Sequence, residues 1–188
     1  MSDEQIIKVR EELISDFRGT IIDIETIGEF CQQYGRNTND SRRCQNIQQV
    51  ILGFINEKEL CVLCAKGNEA ISDLKTATKE IIEVLKHPFY AFNADFESSV
   101  WFHCFDKKII FDGELNREKY ERKADAVRSL RIQNYQDPFC DNGYLCMKAW
   151  EKGDFSKAIA HNRACLLKER DILLKRGYRK PNVVSFNK

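Results

Sequence analysis

The sequence predicts an α/β domain with a mixed five-stranded sheet, in which three antiparallel strands are followed by parallel additions, flanked by helices. Its 188 residues suit one domain with a full core. Its composition is that of a globular protein, with 43% hydrophobic and 31% charged residues, 9 Gly and 3 Pro. Strand-like segments come first and then alternate with helical ones, an order that favours parallel additions to one sheet.

The first half of the chain predicts one helix and three strands. Residues 3–17 have apolar positions at helical spacing, so we expect an amphipathic helix that ends before Gly19. Residues 20–27 are rich in β-branched side chains, which are typical of a buried strand. Two more strands, at 47–55 and 58–65, are joined by a turn at the sequence NEKE and complete an antiparallel meander.

The second half alternates helices with strands. An apolar stripe predicts a helix at 68–87, which Pro88 stops. The expected elements after it are a short strand at 88–93, a helix at 94–105, a strand at 107–112, a charged helix at 116–130 and a helical pair at 144–152 and 154–175. We expect a single domain over residues 1–175 and a loose, basic C-terminal tail over 176–188.

Charge and hydropathy limit the classes of partner. The formal net charge is +1, so a nucleic-acid partner would have to be held by local basic patches. The acidic N-terminal segment lacks the features of a signal peptide. No apolar run approaches the roughly 20 residues that span a bilayer. We therefore expect a cytoplasmic protein with no membrane partner.

The chain contains eight cysteines, a high count. Without a secretory signal, a disulfide framework is not expected. Cys61 and Cys64 form a C-x-x-C pair, but residues three apart on a strand point to opposite faces, and no second pair follows. We expect scattered reduced thiols rather than a structural zinc site.

Two acids, Asp23 and Glu25, interrupt the first predicted strand. Side chains alternate along a strand, so both point to the same face. Two carboxylates on one buried face repel each other and lose hydration, which requires a cation, a basic partner or an opening to water.

Two later segments also contain candidate functional residues. In the sequence FNADFE, Asp95 follows a strand and opens a helix, where α/β sheets place their ligands, although Asn93 and Asp95 could also be helix-capping residues. On the last long helix, His161, Cys165 and Glu169 are each four residues apart and share one face, whereas Asp171 should point elsewhere.

Together, the segments DIET, NADFE and GDFSKAIAHN resemble the DEDD superfamily of 3′–5′ exonucleases, the proofreading branch of the ribonuclease-H-like fold. The resemblance spans about residues 18–175. Asp23 and Glu25 match its D-x-E motif, Asp95 its second acid, and His161 the His or Tyr of its third motif. The family has an Asp four or five residues after that His or Tyr, where this chain has Cys165 and Leu166.

The sequence therefore leaves open which residue, if any, serves as the fourth acidic ligand. Glu169, one turn further along the same face, could reach back; the site could work with three carboxylates; or catalysis could be lost. Cys165 is a poor substitute, because a thiolate suits zinc better than Mg²⁺.

The resemblance implies two Mg²⁺ or Mn²⁺ ions held by Asp23, Glu25, Asp95 and Glu169. Two such ions stabilise charge on the cleaved phosphodiester and activate a water. His161, counted with Glu25 as catalytic, would take a proton from that water.

The expected substrate is the 3′ end of single-stranded DNA or RNA. The loop after the first strand contains Tyr34, Arg36, Arg42 and Arg43, which could bind phosphates and stack a base, or could be a solvated loop. With Arg42 and Arg43, we expect Asn93 and Phe96 near the substrate, although Phe96 could be a core residue. The sequence KYERKADAVR is expected to form a charged helix face.

Two other functions stay open from the sequence. One is a catalytically degenerate nucleic-acid-binding or protein-interaction module on the same fold. The other is a general interaction domain in which Asp23 and Glu25 pair with Arg or Lys.

Overall fold

The structure, a computed structural model, describes residues 5–35 and 39–188. Its strands are β1 (Ile6–Glu12), β2 (Thr20–Gly28), β3 (Ile47–Asn56), β4 (Glu59–Ala65), β5 (Phe89–Ala91) and β6 (Gly113–Glu114). Its helices are α1 (Ile71–Val84), α2 (Ala94–Phe105), α3 (Lys123–Ser129), α4 (Gly143–Glu151) and α5 (Phe155–Arg176). Of these helices, none combines the length and the apolar character needed to cross a membrane.

The strands form one mixed sheet in the order β1-β4-β3-β2-β5-β6. Strands β1, β4, β3 and β2 pair antiparallel, and β5 and β6 are added parallel to β2. The predicted α/β class and the mixed sheet are therefore confirmed, with six strands rather than five.

The sixth strand comes from the N-terminal segment, for which the prediction of a helix was wrong. Ile6–Glu12 pairs with β4 along its whole length. Its exposure alternates from Ile7 onward, with Lys8, Arg10 and Glu12 exposed and their neighbours partly covered. Pairing covers the main-chain groups of β4 that would otherwise form a sheet edge, and this outweighs the helical propensity of the segment.

Three further expectations differ from the structure. The strand expected at 107–112 is found as the two-residue β6, Gly113–Glu114, because its partner β5 is only three residues long and pairs with it at Tyr90 and Ala91. The helix expected at 116–130 is shortened to α3. The tail is not loose: Arg179 forms an ion pair of 2.7 Å with the buried Glu114, and Ser185 bridges to Asp40.

Helices cover both faces of the sheet. α5 packs across β2, β3 and β4. Gly53 of β3 lies opposite Asp23 of β2, and Asn162 of α5 reaches the Asp23 carboxylate. The face of the sheet that carries Asp23 is therefore covered by α5. A bulge between Glu25 and Thr26 places Gln49 on the other face, where it contacts Thr78 of α1. Strand β2 is thus enclosed in the middle of three layers.

Gly53 permits the close approach of α5 to the sheet. A Cβ added there would lie 2.0 Å from Asn162 Oδ1 and 2.9 Å from Leu166 Cδ1. Any side chain at this position would push α5 away from β2 and β3, which would move Asn162 away from Asp23.

We predict that Gly53→Ala lowers the free energy of unfolding by about 1–3 kcal/mol, the cost of overpacking a buried contact. Urea unfolding of the full chain measures this loss. The matched control is Gly143→Ala, because a Cβ at Gly143 meets only Glu25 Oε2, at an ordinary 3.9 Å. Equal stability of the two variants would contradict the tight contact between α5 and the sheet.

Candidate functional site

The centre of the site is the acid pair on β2. Asp23 is buried, with 6% of its surface exposed, and 12% of the Glu25 side chain is exposed. The Asn162 amide donates to Asp23 Oδ2 at 2.8 Å and lies 3.5 Å from Glu25 Oε1. One amide therefore contacts both carboxylates and fixes them next to each other on the face covered by α5.

A third carboxylate and a lysine complete this centre. Glu169 of α5 is fully buried, and its Oε1 lies 2.5 Å from Lys123 Nζ. The same ammonium lies 3.1 Å from Asp23 Oδ1. Lys123, on the helix expected to present a solvated charged face, instead inserts its ammonium between two buried carboxylates.

Helix α2 carries two buried acids, Asp95 and Glu97. Burial and the charges of Asp23 and Glu169 raise the pKa of Glu97 well above its usual range. Asp95 instead forms a 3.3 Å ion pair with Arg43 and accepts a hydrogen bond from the Phe96 amide at 2.9 Å. The charges of the cluster therefore act on Glu97, while Asp95 is paired with Arg43.

His161 is held by a second buried network. Its Nδ1 lies 2.7 Å from Asp137 Oδ1, and its Nε2 faces Glu25 Oε1 at 3.6 Å. Asp137 also accepts a hydrogen bond from the fully buried Lys168 at 2.7 Å, and Lys168 reaches Asp141 at 2.8 Å. The imidazole therefore has a fixed orientation, with one nitrogen toward Asp137 and the other toward the acid pair.

Cys165, four residues after His161, lies beside the acid pair of Asp23 and Glu25. Single ligand atoms of Asp23, Glu25 and Cys165 all lie within 4.8 Å of one another. Asp171 points elsewhere, as expected, and contacts Tyr135 and Arg170. The structure thus brings both Cys165 and Glu169 to the cluster.

The cluster contains more acidic than basic side chains, and the pKa values of several of its members are shifted as a result. Burial and the neighbouring Asp23 raise the pKa of Glu25 to about 7 against the influence of His161. Burial raises the pKa of Glu169 well above its usual range. Burial alone would lower the pKa of Lys123, but the charges of Asp23 and Glu169 raise it well above its usual value.

Two of the carboxylates have unused ligand atoms. Glu97 Oε2 and Glu169 Oε2 are buried and have no hydrogen-bond partner among the described residues. A buried carboxylate oxygen without a partner is costly, and a bound cation would relieve that cost. Asp23, Glu25, Glu97 and Glu169 together offer hard oxygen ligands of the kind that Mg²⁺ and Mn²⁺ take.

A cavity of about 680 Å³ opens beside Glu25. Its walls include the aromatic rings of Phe30, Phe96 and Tyr144, with Lys148 at its edge. Phe30 and Phe96 meet edge to face with ring centroids 6.0 Å apart. Glu25 therefore borders a space in which a planar group could stack.

The other residues expected to contact substrate have structural contacts. Arg42 forms a 2.6 Å ion pair with Asp40 and stacks over Tyr34, with its guanidinium carbon 4.2 Å from the ring centroid. Arg43 is buried against Asp95. The side-chain Oδ1 of Asn93 accepts a hydrogen bond from the Asn116 side-chain amide at 2.9 Å. Arg36 lies outside the described residues.

Four site residues received no role from the sequence: Lys123, Glu97, Asn162 and Asp137. The signal for Glu97 was present, because Asp95 and Glu97 both occur in the first turn of α2 and only one can face the sheet. Asn162 follows His161 directly. Lys123 opens the short helix α3 and Asp137 lies in the irregular segment after it, and the periodicity of the sequence does not reveal how either packs.

The chain was compared with protein-family models, curated proteins and solved structures, and none of the three comparisons gives a match. The chemistry of the site therefore rests on its own geometry.

Lys123 is the counter-charge of Asp23 and Glu169, so we predict that Lys123→Met destabilises the metal-free protein by about 3 kcal/mol, the cost of breaking a buried ion pair. Mn²⁺ should restore part of this loss by binding the folded state. Urea unfolding with EDTA and with Mn²⁺ measures both effects.

The control is Lys157→Met. The ion pair of Lys157 with Asp154 is exposed at both side chains, 60% and 37%, so its removal should leave stability close to wild type. If Lys123→Met were as stable as this control in EDTA, the role of Lys123 as counter-charge would be wrong.

Proposed function

We propose that the protein is a metal-dependent 3′–5′ exonuclease that hydrolyses single-stranded nucleic acid. One observation carries the proposal: three carboxylates from β2 and α5, those of Asp23, Glu25 and Glu169, are held together by Lys123 and Asn162, and Glu25 lines an open cavity. Glu169 also has a buried oxygen without a hydrogen-bond partner among the described residues. Such an excess of buried negative charge is stable only with protonation or a bound cation.

The sheet supports a ribonuclease-H-like fold for this site. β4, β3 and β2 are three antiparallel strands, and β5 and β6 are parallel additions beside β2. This is the arrangement that the resemblance to the DEDD exonucleases implies, with β1 as an extra strand at the far edge.

Asp23, Glu25, Glu97 and Glu169 would hold Mg²⁺ or Mn²⁺. Bound in such a cluster, these ions stabilise negative charge on a cleaved phosphodiester and lower the pKa of a water. Lys123 would leave its place between Asp23 and Glu169, and its ammonium would then be available to a phosphate oxygen. Asn162 keeps Asp23 and Glu25 at a fixed separation.

His161 would handle the proton of the attacking water, a role that its contacts support, since its Nε2 faces Glu25 and its Nδ1 is held by Asp137. Burial would lower the pKa of His161, but Cys165 and the hydrogen bond to Asp137 outweigh it and raise that pKa to about 11. Beside bound divalent cations the neutral imidazole, which can accept a proton, is favoured.

The cavity beside Glu25 would receive the terminal nucleotide. Phe30, Phe96 and Tyr144 offer aromatic faces, and stacking of a base on such faces is worth about 1–3 kcal/mol and tolerates any sequence. This favours a flexible single strand over a duplex, whose bases are already stacked.

The test is digestion of 3′- and 5′-labelled single-stranded DNA and RNA in Mn²⁺. We expect stepwise shortening from the 3′ end by the wild type. Asp23→Asn and Glu169→Gln should lower the rate at least ~100-fold, because losing several kcal/mol of charge stabilisation costs a factor of ten per 1.4 kcal/mol.

Asp171→Asn is the matched control, since it changes an acid to an amide on the same helix, away from the cluster. It should retain the wild-type rate. Absence of shortening by the wild type with either metal, or equal loss in Asp171→Asn, would contradict the proposal.

A second pair of variants separates the two acids of α2. Glu97→Gln should lower the rate as strongly as Glu169→Gln, because Glu97 shares the field of the cluster. Asp95→Asn should act mainly on stability, through its ion pair with the buried Arg43. If Asp95→Asn lowered the rate strongly and Glu97→Gln did not, Asp95 rather than Glu97 would be the second acidic ligand.

The contacts of Lys123 favour one alternative, a nucleic-acid-binding module without catalysis. Its ammonium already occupies the space between Asp23 and Glu169, as a fixed cation would. Under this alternative the wild type binds a labelled single strand equally in Mn²⁺ and in EDTA and does not shorten it. Calorimetric titration with Mn²⁺ would then show no binding.

A further inference from the structure

We propose that Cys146, Cys165, His161 and Glu25 form a second, softer metal site that binds Zn²⁺ next to the acid cluster. Cys146 comes from α4, Cys165 and His161 from α5, and Glu25 from β2. Both thiols are free and buried, and Glu25 is the partly exposed member through which an ion could enter from the cavity.

The separations between ligand atoms carry the proposal. His161 Nε2 lies 3.7 Å from Cys165 Sγ and 3.6 Å from Glu25 Oε1. Ligand atoms of Glu25, Cys146 and His161 all lie within 4.8 Å of one another. One imidazole nitrogen thus has a carboxylate oxygen on one side and a thiol on another, and a second thiol lies close by.

These distances suit tetrahedral zinc. With Zn–S near 2.3 Å and Zn–N or Zn–O near 2.0–2.2 Å, the edges of the tetrahedron are roughly 3.3–3.8 Å. The separations of His161 from Cys165 and from Glu25 already fall in that range. Cys146 lies within 4.8 Å of His161 and Glu25 and needs to approach these two by no more than about 1 Å, which a rotation of its side chain can supply.

The surroundings of His161 support the same assignment. A metal-bound histidine usually donates its other ring N–H to a carboxylate, which fixes the tautomer and the ring orientation. His161 Nδ1 lies 2.7 Å from Asp137, whose second oxygen is held by Lys168. Nε2 is then the nitrogen left to bind a metal ion, and it faces Glu25 and Cys165.

Ligand chemistry distinguishes this site from the acid cluster. Thiolate and imidazole ligands select Zn²⁺, whereas Mg²⁺ and Mn²⁺ take oxygen ligands. Both sites would use Glu25, and zinc would also occupy the His161 nitrogen. Zn²⁺ should therefore oppose any hydrolysis at the acid cluster, although zinc binding itself does not depend on the proposed exonuclease activity.

The test is metal binding to the reduced, full-length chain, with no nucleic acid present. Zn²⁺ is titrated in competition with a chromophoric chelator, and Co²⁺ serves as a spectroscopic probe. We expect one Zn²⁺ per chain, and a cobalt complex with the intense visible bands of tetrahedral geometry and thiolate-to-cobalt charge transfer.

Cys146→Ser and Cys165→Ser should each weaken Zn²⁺ binding at least ~100-fold and reduce the charge-transfer band. Asp137→Asn, which leaves all four ligands in place, should weaken it by about 10–100-fold. Cys140→Ser is the matched control, since Cys140 is exposed and outside the group, and it should bind like the wild type.

Two results would overturn the proposal. One is a wild-type cobalt spectrum without thiolate charge transfer, which needs no variant and so does not depend on how well a variant folds. The other is unchanged Zn²⁺ affinity in both cysteine variants, with folding confirmed by circular dichroism. Neither result bears on the exonuclease, which is tested separately with Mn²⁺ and labelled strands.

Discussion

The buried carboxylate of Asp23 is the constraint on which the arrangement of the molecule depends. It lies on the enclosed strand β2, where an uncompensated charge would cost several kcal/mol. Compensation comes from outside the sheet: Lys123 of α3 and Asn162 of α5 both contact it. A single acid therefore holds two helices, α3 and α5, against the centre of the sheet. Lys123 is the first residue of α3, so its contact with Asp23 also fixes the end of the irregular segment before that helix.

Helix α5 joins this centre to a second polar network. Asn162 and Glu169 belong to the Asp23 cluster, whereas Lys168 and His161 contact Asp137 in the loop before α4. His161 connects the two networks, because one ring nitrogen faces each. The same helix thus orders a site rich in oxygen ligands and a neighbouring group with two thiols, and the two share Glu25.

The sequence predicted those parts of the site that follow from the local periodicity of a strand or a helix. The alternation on β2 put Asp23 and Glu25 on one face, and the four-residue spacing on α5 put His161, Cys165 and Glu169 together. It did not identify Lys123, because a lysine among charged neighbours has the pattern of a solvated helix. Its burial depends on contacts about 100 residues away in the chain.

The same distinction holds for the fold. The α/β class follows from the order of strand and helix patterns, but the N-terminal segment is a strand only because β4 presents an edge to pair with. Likewise, the tail is ordered by Glu114 and Asp40, partners that no local pattern indicates. In both cases long-range pairing outweighs local propensity.

The most direct measurement is a crystal structure of the chain soaked in Mn²⁺, with anomalous scattering used to locate the ions. The proposed metal site predicts Mn²⁺ peaks among Asp23, Glu25, Glu97 and Glu169, with the Lys123 ammonium moved out from between Asp23 and Glu169. A map without such a peak, in which Lys123 still bridges the two carboxylates, would contradict a metal-dependent active site.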